Sequence, residues 1–106
     1  MIYVVATVRV KPGMRDVYID EVAAVVETIR AERGCIDYTV VEDLDIGHPA
    51  QRPPPESSVT ILERWEDVPA LKTHSTASHM VELRKRTAAA VEKVELEIFQ
   101  AAPPRG

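Results

Sequence analysis

The hydrophobic pattern of the chain changes its period along the sequence, and the order of these changes restricts the fold more than any other feature. Residues 2–10 (IYVVATVRV) end in an alternation of apolar and polar side chains, which is typical of a strand with one buried face. Residues 14–33 repeat apolar side chains at spacings of three and four, which indicates an amphipathic helix. Residues 35–43 (CIDYTVVED) alternate again and predict a second strand.

The second half of the chain gives a similar order of strand, helix and strand. The pattern predicts a strand, a short helix, a longer helix and a closing strand over residues 58–66, 67–74, 75–93 and 94–101. Four of the eight prolines lie between the two halves, in residues 44–58. This proline-rich stretch predicts a stiff, exposed hairpin loop and not a domain boundary.

The resulting order, β-α-β-β-α-β, predicts an α+β, ferredoxin-like fold in which one four-stranded antiparallel sheet carries both helices on one face. At 106 residues the chain suits a single domain, which we place at residues 1–101, with a C-terminal tail at residues 102–106. A domain of this size is only modestly stable alone. The other face of the predicted sheet is partly apolar, so we expect an identical subunit to cover it.

Local signals mark where the helices begin and end. Gly34 follows a basic stretch at the end of the first helix and suits the left-handed position just beyond a helix. Asp67 suits the N-cap of the short helix, and Ser75 or Thr76 suits the N-cap of the long one. These signals predict that the third strand leads directly into two successive helices.

Composition excludes several classes of partner. The formal net charge is −4 and no basic stripe accumulates, so we expect neither nucleic acid nor an anionic membrane surface as a partner. No apolar run approaches the roughly 20 residues that a bilayer crossing needs. The single cysteine and the lack of a signal-like start predict a reducing, cytoplasmic location.

Three stretches of the chain carry a family resemblance: VVATVRVKPG (residues 4–13), ERGCIDYTVVED (residues 32–43) and VTILERWEDVPALKTHSTASHM (residues 59–80). Together they resemble the antibiotic biosynthesis monooxygenase family, and the resemblance extends over residues 1–101. The shared pattern is a Gly that ends the first helix, a Tyr on the second strand, Glu-x-Trp on the third strand and His-x-x-x-x-His at the next helix. The resemblance implies a dimeric α/β barrel in which two sheets pack face to face.

The resemblance also implies a function. The family includes cofactor-independent oxygenases of quinols and aromatic polyketides, haem-degrading enzymes and many proteins with no assigned reaction. We therefore expect a monooxygenase that uses O2 to oxidise a small electron-rich aromatic, such as a quinol, a phenol or an anthrone-like ring, without a cofactor. The sequence contains no phosphate loop, nucleophile elbow, flavin motif or nicotinamide motif. The alternative is a non-catalytic dimer that binds a small apolar ligand or serves in a stress response.

Glu63 and Trp65 are two residues apart on the third predicted strand, so they share one face. In a functional interpretation, Trp65 forms a cavity wall and Glu63 binds substrate through its charge or a hydrogen bond. In a structural interpretation, Trp65 fills the core and Glu63 forms an ion pair with a basic residue of the same chain or across the dimer, because a carboxylate among aliphatic side chains must be paired or protonated.

His74 and His79 are the candidate catalytic bases. His74 ends the short helix and His79 begins the next, so both side chains are close to the same junction. Neutral imidazole is the natural group to deprotonate a phenol or enol near neutral pH. Alternatively, His74 caps a helix end and His79 is a polar interface residue. His48, in the exposed loop, receives no role.

Metal binding is not expected from these residues. His74, His79 and Glu63 are of types that bind zinc. However, the chain lacks the His-x-x-x-His spacing that places two imidazoles on one helix face, so we predict no metal site.

The remaining substrate-binding candidates are Tyr38 and Arg84. Tyr38 shares its predicted strand face with Ile36 and Val40, where its ring would be buried and its hydroxyl free to donate to a substrate oxygen. Packing alone explains Tyr38 equally well. Arg84 would offset negative charge on a substrate if its side chain turned inward. Cys35 has no motif around it and is expected to be a packing residue.

Overall fold

The computed structural model describes residues 1–105. These residues form β1 (Ile2–Val10), α1 (Arg15–Ala23), α2 (Val26–Arg30), β2 (Cys35–Val41), β3 (Ser58–Trp65), α3 (Val68–Thr76), α4 (Ser78–Thr87) and β4 (Val91–Gln100). The four strands of the described chain form one sheet in the order β2-β3-β1-β4, and every neighbouring pair is antiparallel. The predicted α+β, ferredoxin-like fold is thereby confirmed. The last residue of the predicted tail, residue 106, lies outside the described residues.

The helices pack on the face of the sheet that the alternation of β1 identifies. Val4, Ala6, Val8 and Val10 are all buried, and Val59 and Ile61 of β3 continue the same apolar surface. On the helices, this face meets a buried set that includes Tyr18, Val22, Ile29, Leu71, Met80 and Leu83. None of the helices formed by residues 1–105 combines the length and apolar composition that a bilayer crossing requires.

The first helix is shorter and more broken than the sequence pattern predicts. A single helix over residues 14–33 was expected, but the chain forms α1 and α2 with a tighter turn at Ala24 and Val25. The N–H of Val25 bonds the carbonyl of Val22, three residues back, where a regular α-helix bonds four back. Adjacent β-branched Val25 and Val26 restrict their side-chain torsions in a helix, which favours a break at this point.

For α3 and α4, one predicted helix boundary is confirmed and two are wrong. Asp67 caps α3 as expected, since its carboxylate accepts from the Ala70 N–H at 2.9 Å. The N-cap of α4 is Ala77, and neither Ser75 nor Thr76 caps it. The helix also ends at Thr87 instead of residue 93, because the following residues pair with β1 from Val91 onward. Strand pairing here overrides the high helix propensity of the intervening alanines.

The alternation predicted for β2 is broken by a bulge. Cys35 is opposite Trp65 and Asp37 is opposite Arg64, so Ile36 is an extra residue between them. Ile36 is 44% exposed and does not share the buried face of Tyr38, contrary to expectation. The bulge leaves Tyr38 opposite Glu63, which brings these two side chains together on the helix-covered face.

The edge strand β4 carries an apolar row that the helices do not cover. Val94, Leu96 and Ile98 are opposite buried residues of β1, yet each of the three is at least half exposed. On the other sheet face, Tyr3 is opposite Phe99, and both are also substantially exposed. The described chain therefore presents apolar surface on both faces of the sheet near β4.

Gly34 gives the first prediction, which concerns stability. Its φ of +81° is in the left-handed region, and an added Cβ would lie 2.5 Å from the Cβ of Ala70. We expect Gly34→Ala to destabilise the fold by more than the roughly 1–2 kcal/mol of a left-handed non-glycine residue, because Ala70 on α3 must also shift. Urea unfolding followed by circular dichroism measures the loss.

Gly13→Ala is the matched control, because Gly13 has a φ of +78° but no heavy atom within 4 Å of its added Cβ. It should show the backbone strain alone. An equal loss for the two variants would contradict a close approach between Gly34 and α3.

Candidate active site

A cavity of about 360 Å³ lies between the sheet and helices α3 and α4. Much of its wall is aliphatic, and aromatic or polar side chains reach it from five elements: Tyr18, Tyr38, Glu63, His74 and Arg84. Val94 and Leu96 of the uncovered β4 row also line the cavity, and both are at least half exposed. A concave, largely apolar site with a few converging polar groups is the usual form of a small-molecule site.

His74 is buried in the cavity wall and held in one orientation. Its Nδ1 is 2.8 Å from Oε2 of Glu32. An ionised carboxylate only accepts, so the proton of a neutral His74 ring is on Nδ1 and the lone pair is on Nε2. Within residues 1–105, no side chain or backbone group hydrogen-bonds to Nε2. Every fully buried side-chain nitrogen or oxygen of these residues has a hydrogen-bond partner. Nε2 is therefore not fully buried, and His74 is one of the residues that line the cavity.

Like Tyr18, Glu32 is a functional candidate that sequence reasoning missed. It lies just beyond α2, and its Oε2 also contacts Nε2 of His79 at 2.8 Å. His79 is therefore on the far side of Glu32, and it is not among the residues that line the cavity in the described chain. The one sequence signal for Glu32 was its position at the start of the family-like stretch ERGCIDYTVVED.

Trp65 lies behind the cavity wall. It is fully buried, its ring stacks on His74 with a centroid distance of 4.6 Å, and its Nε1–H donates to Oε1 of Glu63 at 2.9 Å. The shared strand face predicted for Trp65 and Glu63 is confirmed. An ion pair for Glu63 within one chain is not, because no Lys or Arg of the described residues pairs with it; a pair across the dimer stays a prediction.

Tyr18 and Tyr38 also line the cavity. Burial, with a further contribution from the charge of Glu63, raises the pKa of Tyr18 to about 12. The same two causes, burial first, raise the pKa of Tyr38 still further. Both side chains therefore remain protonated hydrogen-bond donors near neutral pH.

Arg84, Cys35 and His48 are less directly involved. Arg84 lines the cavity, but its Nη2 donates to the Ser75 carbonyl at 2.6 Å. Cys35 is partly buried, and burial raises the pKa of its thiol, so it is a poor nucleophile. His48 is in the exposed loop, where its Nδ1 accepts from the Ala50 N–H.

The buried Glu63 gives a prediction about pH. Burial is the main cause that raises the pKa of its carboxyl above the ordinary 4.5. The folded state then holds this proton after the unfolded state has lost it, so stability falls as pH rises from about the unfolded pKa through the folded pKa. Each unit by which the pKa is raised costs about 1.4 kcal/mol at higher pH.

Glu63→Gln removes this titration. We expect the variant and the wild type to have similar free energies of unfolding below the unfolded-state pKa of Glu63. Above the folded-state pKa, the variant should be the more stable protein, as measured by urea titrations at several pH values. Glu97→Gln, on exposed β4, is the control and should change stability by less than about 0.5 kcal/mol. Equal pH profiles for wild type and Glu63→Gln would contradict the raised pKa.

Comparisons with known proteins place the chain in a family. The family model described as "Antibiotic biosynthesis monooxygenase" matches residues 1–86. The chain is 29% identical over 102 residues to the "Probable quinol monooxygenase YgiN" of Escherichia coli strain K12, covering 94% of this chain and 97% of that protein. It is 32% identical over 79 residues to the "Putative monooxygenase YcnE" of Bacillus subtilis strain 168, covering 74% of each.

The fold is also found in solved structures. The crystal structure of PA3566 from Pseudomonas aeruginosa superimposes with a TM-score of 0.77 at 24% identity, covering 96% of this chain and 94% of that one. At this level of identity the likeness demonstrates the fold alone. It agrees with the antiparallel sheet and the one-sided helices described above.

Proposed function

The chain belongs to the antibiotic biosynthesis monooxygenase family, and from this membership we propose that it is a cofactor-independent monooxygenase. Its substrate class is a small electron-rich aromatic: a quinol, a phenol or an anthrone-like ring. The relative named as a quinol monooxygenase supports this class. The observation that carries the proposal is the position of His74. This cavity-lining imidazole is held by Glu32 through Nδ1, which leaves its basic Nε2 free to accept a proton from a bound substrate.

His74 is the general base of the proposed reaction. Its Nε2 accepts the proton of a substrate hydroxyl, or of the acidic CH2 of an anthrone-like ring, and the Glu32 carboxylate stabilises the imidazolium that forms. His79 bonds the same oxygen of Glu32 and helps to hold it in place. We assign the base to His74 alone, because His79 is outside the cavity wall of the described chain.

The other predicted site residues bind the substrate anion. The hydroxyls of Tyr38 and of Tyr18, which the sequence did not point to, donate to the developing oxyanion. Glu63 accepts from a substrate hydroxyl on the cavity side, and Trp65 positions both Glu63 and His74 from behind. Arg84, at the edge of the cavity, offsets the negative charge of the anion.

The oxidation balances without an external reductant. The substrate anion gives one electron to O2, and the two radicals combine to a peroxide at the ring carbon. Cleavage of the O–O bond, with the proton returned from His74, releases water and leaves a carbonyl. For an anthrone-like CH2, one oxygen atom becomes the carbonyl, the other leaves as water with both hydrogens, and the carbon supplies all four electrons.

The test uses anthrone and menadiol as probe substrates, because both are electron-rich and flat. Oxygen uptake by the purified protein is measured with a chelator present and no flavin, and uncatalysed oxidation is subtracted. With labelled dioxygen and anthrone, one labelled oxygen atom per product is expected. Turnover of neither probe, with either bound in the cavity, would favour the ligand-binding alternative. A requirement for added flavin would overturn the cofactor-independent mechanism.

A homodimer is part of the same proposal, as is the single domain over residues 1–101. The family-like fold and the exposed apolar residues Tyr3, Leu62 and Phe99 on the outer sheet face support a second copy packed there. The cytoplasmic location expected from the single cysteine stays a prediction.

Light scattering tests the dimer. We expect twice the chain mass at micromolar concentration, and a shift toward the single-chain mass for Leu62→Glu. Val81→Glu, at an exposed position on α4, should leave the mass unchanged. A wild-type protein that scatters as one chain would contradict face-to-face pairing of the sheets.

A further inference from the structure

Glu32, His74 and His79 bring three metal-ligand atoms to one point. One ligand atom from each of the three residues lies within 4.8 Å of the other two. Nδ1 of His74 and Nε2 of His79 are each 2.8 Å from Oε2 of Glu32. Two imidazoles and one carboxylate are a ligand set that zinc enzymes use, with a water in the fourth position. We propose that these three residues form a binding site for a divalent transition-metal ion of the Zn²⁺ type.

Local charge favours a cation at this point. Glu32 and Glu63 are two carboxylates on the same side of the sheet, and each raises the pKa of Cys35 through its charge. Within the described residues neither carboxylate pairs with a Lys or Arg, and the partners of Glu32 are the two imidazoles. A poorly solvated carboxylate needs a compensating charge, which a metal ion supplies.

The geometry needs only a small change to accept the ion. Ligand atoms around a tetrahedral Zn²⁺ are about 3.3 Å apart at the usual bond lengths of roughly 2.0–2.2 Å. The two imidazole nitrogens are each 2.8 Å from the Glu32 oxygen, so each must move away from it by about half an ångström. The ligand atoms of the two imidazoles lie within 4.8 Å of each other and must also settle about 3.3 Å apart. His79 is the most exposed of the three side chains, so an ion can approach the cluster from its side.

Metal binding and proton abstraction exclude each other at His74, a consequence that rests on the proposed function. A metal ion on Nδ1 moves the ring proton to Nε2, the atom that acts as the base in the proposed function. In that tautomer Nε2 donates a hydrogen bond and no longer accepts a proton. Zn²⁺ at this site is therefore expected to inhibit turnover, and to do so in proportion to occupancy.

Calorimetric titration of the metal-stripped full chain with ZnCl2 tests the site, with Co²⁺ visible absorption as a report of coordination by protein ligands. We expect one ion per chain, with saturation at micromolar concentrations. Glu32→Gln and His79→Gln each remove one ligand while keeping similar size, and each should weaken binding by well over tenfold.

His48→Ala and Cys35→Ser are the matched controls. They remove the other imidazole and the nearby thiol, and they should bind as the wild type does. Where Glu32→Gln fails to fold, the rise of melting temperature with Zn²⁺ in the wild type, compared with His79→Gln, gives the same information. No saturable binding, or binding that both ligand variants retain, would overturn the site.

Oxygen uptake with and without Zn²⁺ separates the two proposals. Zinc binding in a protein that turns over neither probe supports the metal site and overturns the proposed function. Turnover without zinc binding supports the proposed function and overturns the metal site. Bound zinc that leaves turnover unchanged would overturn the exclusion at His74.

Discussion

Replacing His74 by Gln is expected to lower the rate of menadiol or anthrone oxidation by about 100- to 10,000-fold, the usual contribution of a positioned general base. The amide still donates to Oε2 of Glu32, so the local packing is kept, but it has no basic nitrogen to present to the cavity. Oxygen uptake at saturating substrate measures the change. Circular dichroism confirms that the variant is folded.

His79→Gln is the comparison that makes this prediction specific. Its imidazole contacts the same Glu32 oxygen but does not line the cavity, so we expect a much smaller loss than for His74→Gln, as for a group that only orients another. An active His74→Gln enzyme would contradict the base assignment. Equal losses in the two variants would show that the histidines act only by holding Glu32.

Trp65→Phe is expected to cost about 1–3 kcal/mol of folding free energy or more, although the ring remains aromatic and buried. The change removes the Nε1–H that Glu63 accepts at 2.9 Å and leaves a buried carboxylate without its donor. For a domain of this size, each kcal/mol lowers the melting temperature by about 4–8 °C. Circular dichroism is the suitable probe, since Trp65 is the single tryptophan of the chain.

The double variant Trp65→Phe/Glu63→Leu separates the hydrogen bond from packing. Removing both partners leaves no orphaned polar group, so we expect it to recover most of the stability lost in Trp65→Phe. Losses that simply add would indicate that the indole stabilises the fold by filling volume. An unchanged melting temperature in Trp65→Phe would show that Glu63 finds another donor.

Short-range spacing in the sequence predicted much of the fold. Alternation in β1 identified the buried face, because successive strand residues point to opposite sides of a sheet. The same spacing placed Glu63 and Trp65 on one face, and Asp67 was identified as a cap from its position before the helix. The end of α4 was predicted too late, because the helix propensity of Ala88–Ala90 was outweighed by pairing of Val91 with β1.

The candidate site was only half visible in the sequence. His74 was a candidate from its residue type and position. Its partner Glu32, however, is separated along the chain by 42 residues from His74 and by 47 residues from His79. No periodic pattern links residues at such separations, because periodicity reports only which neighbours share a face. The sequence determined the order of strands and helices and the residues able to act as acids and bases. Only the tertiary structure, which brings the segment after α2 to the α3–α4 junction, decided that one carboxylate oxygen meets both imidazoles.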